Sequence, residues 1–254
     1  MRKKKIAICL ILTLLCFGAL CSVAFAAPGI SISDSGITIN STDDPQEIGS
    51  SIKLLLLLTV LSLLPSILIM MTSFTRIIII LSFLRNSMGT QQIPPNQVVI
   101  GLALFLTFFI MTPVLGDINQ NALQPFTENK ITLEEAVDRS GDSVKDYMLQ
   151  YTRDKDLALF ASIAKVEAPE KLTDLPLTVV VPAFMISELN TAFRMGFMLY
   201  IPFLVIDMVV ASTLMAMGMM MLPPVMISMP FKILLFLLVD GWNLLTETII
   251  KSFA

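Results

Sequence analysis

Apolar residues fall along this chain in four long runs, separated by polar stretches of different character. The first run, 54–84, is interrupted by Pro65 and Arg76. A single span over 52–71 matches the ~30 Å hydrocarbon core of a bilayer, whereas 77–84 is too short for another. A polar turn follows at Gln91-Gln92-Ile93-Pro94-Pro95-Asn96, because paired prolines do not continue a helix. Residues 98–115 then predict a second apolar helix, with Pro113 near its end. The third run, 177–206, carries Glu188, Arg194 and Pro202, and the fourth comprises 208–221 and 225–250. Between the second and third runs, 117–174 holds 19 of the 37 formally charged residues, which makes it a water-exposed insertion. The pattern predicts an all-α protein: apolar helical hairpins embedded in a membrane or an assembly, with an inserted extracytoplasmic helical domain.

Inside the insertion, Thr132-Leu-Glu-Glu135 has the spacing of a capping box. Leu133, Val137, Val144 and Met148, then Leu157, Phe160 and Ile163, follow loosely helical spacing and predict two or three amphipathic helices. Gly141 is expected to separate the first two, and Pro169 and Pro176 to close the domain. Its charged faces read either as binding surface or as a plain solvated face.

The N-terminus changes the picture. Arg2-Lys3-Lys4-Lys5, the apolar stretch 6–20 and Ala24-Phe25-Ala26 have the layout of a secretory signal, with an uncleaved anchor helix as the alternative. After it, 27–51 is small and polar and reads as a flexible exported arm. The resulting organisation is a signal over 1–26, the arm over 27–51, a first apolar region over 52–116, the hydrophilic domain over 117–176 and a second apolar region over 177–254. With the mature start outside, the first unit leads inward, the second outward, and the charged domain lies outside. Arg76 and Arg85 are then inner-side charges, in line with the positive-inside tendency. All three cysteines fall within the first 21 residues and there is no histidine. A processed chain therefore has no disulfide, thiolate nucleophile, imidazole base or His/Cys metal site, and no cofactor is implied.

Eight of the seventeen methionines lie between Met208 and Met229, three of them consecutive at Met219, Met220 and Met221. Gly218 precedes this triad and Pro223-Pro224 follows it. The prolines end one helix and force a reversal, so the expected form is a hairpin with methionines at its tip. One reading of the triad is lipid-facing or core filler. The other is a deformable constriction, since methionine re-packs against many shapes.

Glu188, Arg194, Asp207, Lys232 and Asp240 lie in apolar surroundings, where charges are costly and face a partner or a water-filled path. With the reversal centred between Met219 and Met220, Asp207 lies twelve residues before the tip and Lys232 twelve after it, so the two are expected to pair. Glu188 and Arg194, six apart, lie on different helix faces and are not expected to pair with each other. Asp207 and Asp240 also suggest an intramembrane aspartyl dyad, but the local signature is only Asp240-Gly241 and Lys232 gives Asp207 a structural role. No catalytic residues are assigned.

Residues 182–197, with Pro182-Ala-Phe-Met-Ile-Ser-Glu-Leu-Asn at their start, resemble the signature segment of the FliP/SctR family. Tyr200-Ile-Pro-Phe-Leu-Val-Ile-Asp207 resembles its second segment, and the methionine triad with Pro223-Pro224, the Pro230-Phe-Lys232 stretch and Val239-Asp-Gly-Trp242 resemble the rest. The likeness also takes in 76–95, and the signal and long arm resemble the flagellar branch rather than the virulence one. The resemblance implies a subunit of the type III export gate, assembled as a pentamer with FliQ and FliR, with FlhA and FlhB docking onto that core. It implies that Met219, Met220 and Met221 form a gasket inside a pore. It also implies that several apolar helices pack against neighbouring subunits rather than lipid.

Three functions compete on this reading. The first is a non-enzymatic pore subunit that passes unfolded proteins, with no nucleic acid involved. The second is an ion or small-solute transporter with Glu188, Arg194, Asp207 and Lys232 as a proton path. The third is a scaffold that nucleates export-apparatus assembly. No Gly-x-x-x-x-Gly-Lys loop is present, so energy for the first must come from elsewhere.

Overall fold

The computed structural model describes residues 30–33, 36–39, 45–90, 93–166, 171–219 and 221–253. The expected signal at 1–26, Pro169 and Met220 lie outside the described residues, as do Gln91 and Gln92 of the polar turn. The chain divides into two units, 1–63 and 64–254. Within the first, β1 (Ile30–Ser33) and β2 (Gly36–Ile39) pair antiparallel, with Ile30 opposite Ile39. The stretch expected as an arm thus contains a ribbon, and α1 (Pro45–Met70) already begins inside it. Leucines 54–58 of α1 are exposed.

The second unit is built around two helices. Helix α2 (Phe74–Ser87) packs along α7 (Leu177–Ala216), a continuous helix of 40 residues. Helix α3 (Asn96–Ile118) runs through a π-turn at Asn119–Leu123 into α4 (Gln124–Thr127). Helices α5 (Leu133–Tyr151) and α6 (Asp154–Ala164) form the charged insertion, and α8 (Pro224–Leu238) and α9 (Gly241–Lys251) complete the unit. Among the described residues, 96–127 and α7 are each long and apolar enough to cross a membrane, and α8 with α9 make a third span if taken together.

Two cores hold these elements. Ile77, Ile80 and Leu84 of α2 pack with Ala103, Leu106, Ala192, Phe236, Leu245 and Ile249. The second core joins Tyr147, Met148 and Leu157 of the charged insertion to Val179, Val180, Ala183 and Phe184 on the first turns of α7. The insertion is therefore docked on α7 by a shared core rather than set apart. Its amphipathic helices supply the apolar stripe that α7 needs at that end.

Several sequence boundaries shift. Pro202 does not part 177–206 from 208–216, and Pro65 and Pro182 also lie inside helices. A proline removes one intrahelical bond but need not end an apolar helix whose freed carbonyls find local partners. Gly141 lies within α5, and the break between the insertion's helices falls instead at Thr152–Arg153. Thr132 caps α5 by accepting from the Glu135 amide at 3.2 Å, while the Glu135 carboxylate turns to Arg139 at 2.7 Å. Val137, Leu133 and Ile163, expected on apolar faces, are exposed. The second arm of the hairpin is not one helix: α8 and α9 meet at 66°, and Asp240 takes the left-handed φ of +50° at the break.

The structure also places the end of the first apolar run relative to the charged insertion. Met71, directly after α1, joins the core under Tyr147 and Phe184, and Arg76 is buried beside Tyr151 of the insertion. The turn after the first apolar run thus lies at the same end of this unit as the charged helices. The reason is α2: judged too short for a span, it still carries the chain about 21 Å away at 1.5 Å per residue before α3 begins.

Gly196 shows how closely α2 and α7 approach, since an added Cβ would lie 2.6 Å from the Phe83 ring. Phe83 is itself set edge-on against Phe193 at 5.4 Å. Gly196→Ala should therefore destabilise the fold by about 1–3 kcal/mol, the usual cost of overpacking, read as a lower unfolding temperature in detergent. An unchanged temperature would show that the two helices are free to separate.

Candidate functional site

The hairpin tip begins where α7 stops. The Gly218 amide donates to the Met215 carbonyl at 3.0 Å and the Met219 amide to the Leu214 carbonyl at 3.0 Å, with Gly218 at φ +77°. This is a Schellman stop, which needs a residue tolerating the left-handed region, and glycine does so at no Cβ cost. Pro223 is the N-cap of α8 and Pro224 its first residue, where a missing amide hydrogen costs nothing. Stop and start are thus separated by a short connection that carries the methionines. Met219 is exposed and Met221 is 99% exposed.

Behind the tip the two arms are locked together. Lys232 Nζ lies 2.6 Å from Asp207 Oδ2 and donates to the Ser87 carbonyl at 3.0 Å. The Ser228 hydroxyl donates to Asp207 Oδ1. Lys232 is buried, and Ser87 ends α2, so the ammonium also meets the negative end of that helix's dipole. The hairpin register places Asp207 and Lys232 together; the tie to α2 was not visible in the sequence.

Of the three remaining charges singled out in the apolar runs, Glu188 is buried, whereas Arg194 and Asp240, expected to be buried as well, are exposed on the chain. Glu188 pairs with Arg76, whose Nε donates to Oε2 at 2.8 Å and whose Nη2 donates to Oε1. Arg76 Nη1 donates to the Ser252 carbonyl at 2.8 Å, and its Cζ lies 3.8 Å from the centroid of the Phe253 ring. The Tyr151 hydroxyl donates to the Phe253 carbonyl at 2.7 Å, which ties the C-terminal turn to the same cluster. Arg76 is therefore a core residue, at the end of α2 that meets the charged helices. Burial, with the Glu188 carboxylate nearby, pushes the Tyr147 phenol above its ordinary range.

Asp156 joins the insertion to α7 by accepting from the Ser187 hydroxyl at 2.6 Å and from Arg153 Nε at 2.7 Å. Burial works to raise its carboxyl, but those hydrogen bonds and the Arg153 charge outweigh it and hold the group below its ordinary value. Along α7 the order is thus Glu188 at the charged helices, Gly196 against α2, Asp207 at Lys232, and then the tip. From Glu188 to Ala216 is about 42 Å at 1.5 Å per residue, so tip and insertion lie at opposite ends of one helix. Among the described residues, no group of His, Cys, Asp and Glu is placed to hold a metal ion.

Residues 57–249 match the FliP family. A flagellar biosynthetic protein FliP of Bacillus subtilis (strain 168) is 62% identical over 217 residues, covering 85% of this chain and 98% of that protein. One from Pectobacterium carotovorum subsp. carotovorum is 49% identical over 238 residues, 93% of this chain and 92% of its own. One from Aquifex aeolicus (strain VF5) is 54% identical over 205 residues, covering 80% and 86%. The matched span takes in the hairpin and both ion pairs.

Two outcomes follow from this geometry. Asp207→Lys or Lys232→Asp alone leaves like charges facing, at a cost of about 3–5 kcal/mol, and the double exchange should recover part of it. A double variant no more stable than either single one, by thermal unfolding, would remove the pairing as a register lock. The second concerns pH. Because the folded Asp156 carboxyl sits below its unfolded value of about 4, its stabilisation is complete above that pH and lost as pH falls through the folded value. Asp156→Asn should flatten the acid side of a stability-versus-pH curve; an identical acid-side drop in the variant contradicts the assignment.

Proposed function

As this chain belongs to the FliP family, we propose that it is the pore-forming subunit of the flagellar type III protein export gate, which passes unfolded export substrates across the cytoplasmic membrane. It is a component of the flagellar export apparatus with a membrane location, as its relatives and its apolar helices indicate. The observation that carries the pore reading is the hairpin tip: exposed Met219 and Met221 on a turn fixed by Gly218 and Pro223-Pro224, at the far end of α7 from the charged helices. A seal of this kind needs a rigid base and pliant ends. The Asp207–Lys232–Ser87 lock supplies the base, and thioether side chains supply ends that re-pack around a passing chain without sequence-specific contacts.

In this reading several copies of the chain, five on the family resemblance, bring their tips to one axis, with FliQ and FliR continuing the ring and FlhA and FlhB docking onto it. The exposed apolar faces of α7 and α8, including Phe193, Phe197, Met198, Leu237 and Leu238, suit packing against such neighbours. The charged helices would face the extracytoplasmic side. The protein acts mechanically and electrostatically, not as an enzyme. A proton path is less well supported: Glu188 and Asp207 lie nineteen residues apart on α7, about 28 Å, and each is neutralised by its own partner.

Replacing Met219, Met220 and Met221 together by alanine should leave the complex assembled but leaky to ions, measured as conductance across membranes containing the closed complex. A tight seal in that variant defeats the gasket reading. No leak together with normal export would instead favour a scaffold.

A further inference from the structure

Seven formal charges lie between Leu177 and Lys251. Five of them have partners: Glu188 pairs with Arg76, Asp207 with Lys232, and Glu247 with Lys251. The two left over are Arg194 and Asp240, both exposed and of opposite sign. Arg194 makes no ion pair among the described residues, and the Asp240 carboxylate accepts one long contact, from the Asn243 side-chain amide at 3.4 Å. Each is the lone charge of an uncovered apolar face. On α7 that face includes Phe193, Phe197 and Met198; on α8 it includes Leu234, Leu237 and Leu238 and runs out at Asp240. A neighbour that covers such a face buries its charge as well, and a buried charge without a counter-charge is severely unfavourable.

The Asp207–Lys232 lock gives the two arms a common reference level. Arg194 lies thirteen residues before Asp207, ~20 Å from the lock, and Asp240 lies eight after Lys232, ~12 Å from it, both on the side away from the tip. The long stem of an arginine spans the ~8 Å between these levels. Rotation about an axis along the hairpin leaves heights unchanged, so identical copies related in that way match every Arg194 to one Asp240 with none left over. We propose that the outer face of α7 in one copy packs on the outer face of α8 in the next, with Arg194 of the first paired to Asp240 of the second. The contact joins two different surfaces, the kind that propagates from copy to copy and closes into a ring. It rests on the several-copy reading above and adds which surfaces meet. A lipid phosphate would satisfy Arg194 and leave Asp240 alone, whereas a second copy satisfies both.

Two differently tagged forms of the full chain, each with Cys9, Cys16 and Cys21 changed to serine, are expressed together in cells that make the rest of the export apparatus. One carries Arg194→Cys and the other Asp240→Cys, and membranes are treated with a short bis-maleimide. An adduct bearing both tags is expected, and none when both forms carry Arg194→Cys. Charge reversal supplies the second arm, read as the assembled fraction by native mass measurement. Arg194→Asp or Asp240→Arg alone should lower that fraction at least about tenfold, because like charges then face each other across the contact. Co-expressing the two single variants should recover much of the loss, since each then offers the other an opposite charge. Recovery by the double exchange within one chain but not by co-expression places the pair inside a copy and overturns the proposal. Unchanged assembly in both single variants overturns it too, as does an adduct only to other proteins. An assembled complex without the two-tag adduct removes this contact and leaves the pore reading standing; an unaltered chain that stays monomeric removes both.

Discussion

Charges that an apolar interior does not tolerate unpaired decide where α2 sits. At its first turn Arg76 is held by Glu188 of α7 and by the Ser252 carbonyl; at its last residue the Ser87 carbonyl receives Lys232, which Asp207 of α7 neutralises. A buried ion pair adds little net stability over apolar packing, but removing one partner is severely destabilising. Its effect is therefore to specify: both ends of α2 have one position along α7 at which every charge is satisfied. The close approach of Gly196 and Phe83 lies between those two points and is possible only in that register.

Helix α7 acts as the ruler of the unit. Its first turns share a core with the charged insertion, its middle packs on α2, and its last turns lead to the methionine tip. Continuity through Pro182 and Pro202 gives it this role, because a break at either would uncouple the tip from the insertion. The Schellman stop at Gly218 and the prolines opening α8 then turn the chain within a few residues. In the proposed gate, strain arriving at the charged helices and strain arriving at the tip would act on the same rigid element.

The break between α8 and α9 places Trp242 beside the start of α3 and turns the C-terminal residues back to Arg76. Phe253 and Ser252 complete the arginine's shell, and Tyr151 holds the Phe253 carbonyl. The C-terminal turn is thus part of the core, although by sequence it is only the end of an apolar run.

What the sequence determined by itself follows from local rules. Apolar runs too long for a soluble core, a charged insertion between them, a proline-bounded methionine turn and the equal offsets of Asp207 and Lys232 about it are all set by composition and spacing along one stretch. The all-α class and the hairpin geometry are legible for that reason, as was the family likeness. Only the tertiary structure decided the rest. Arg76 and Glu188 lie 112 positions apart, and Asp156 and Ser187 lie 31 apart, so no periodicity links them. Whether Pro202 ends a helix, whether Arg194 is covered and which end of α2 meets the charged helices depend on what packs alongside. Hydropathy registers that a residue avoids water; it carries no information about which neighbour takes water's place.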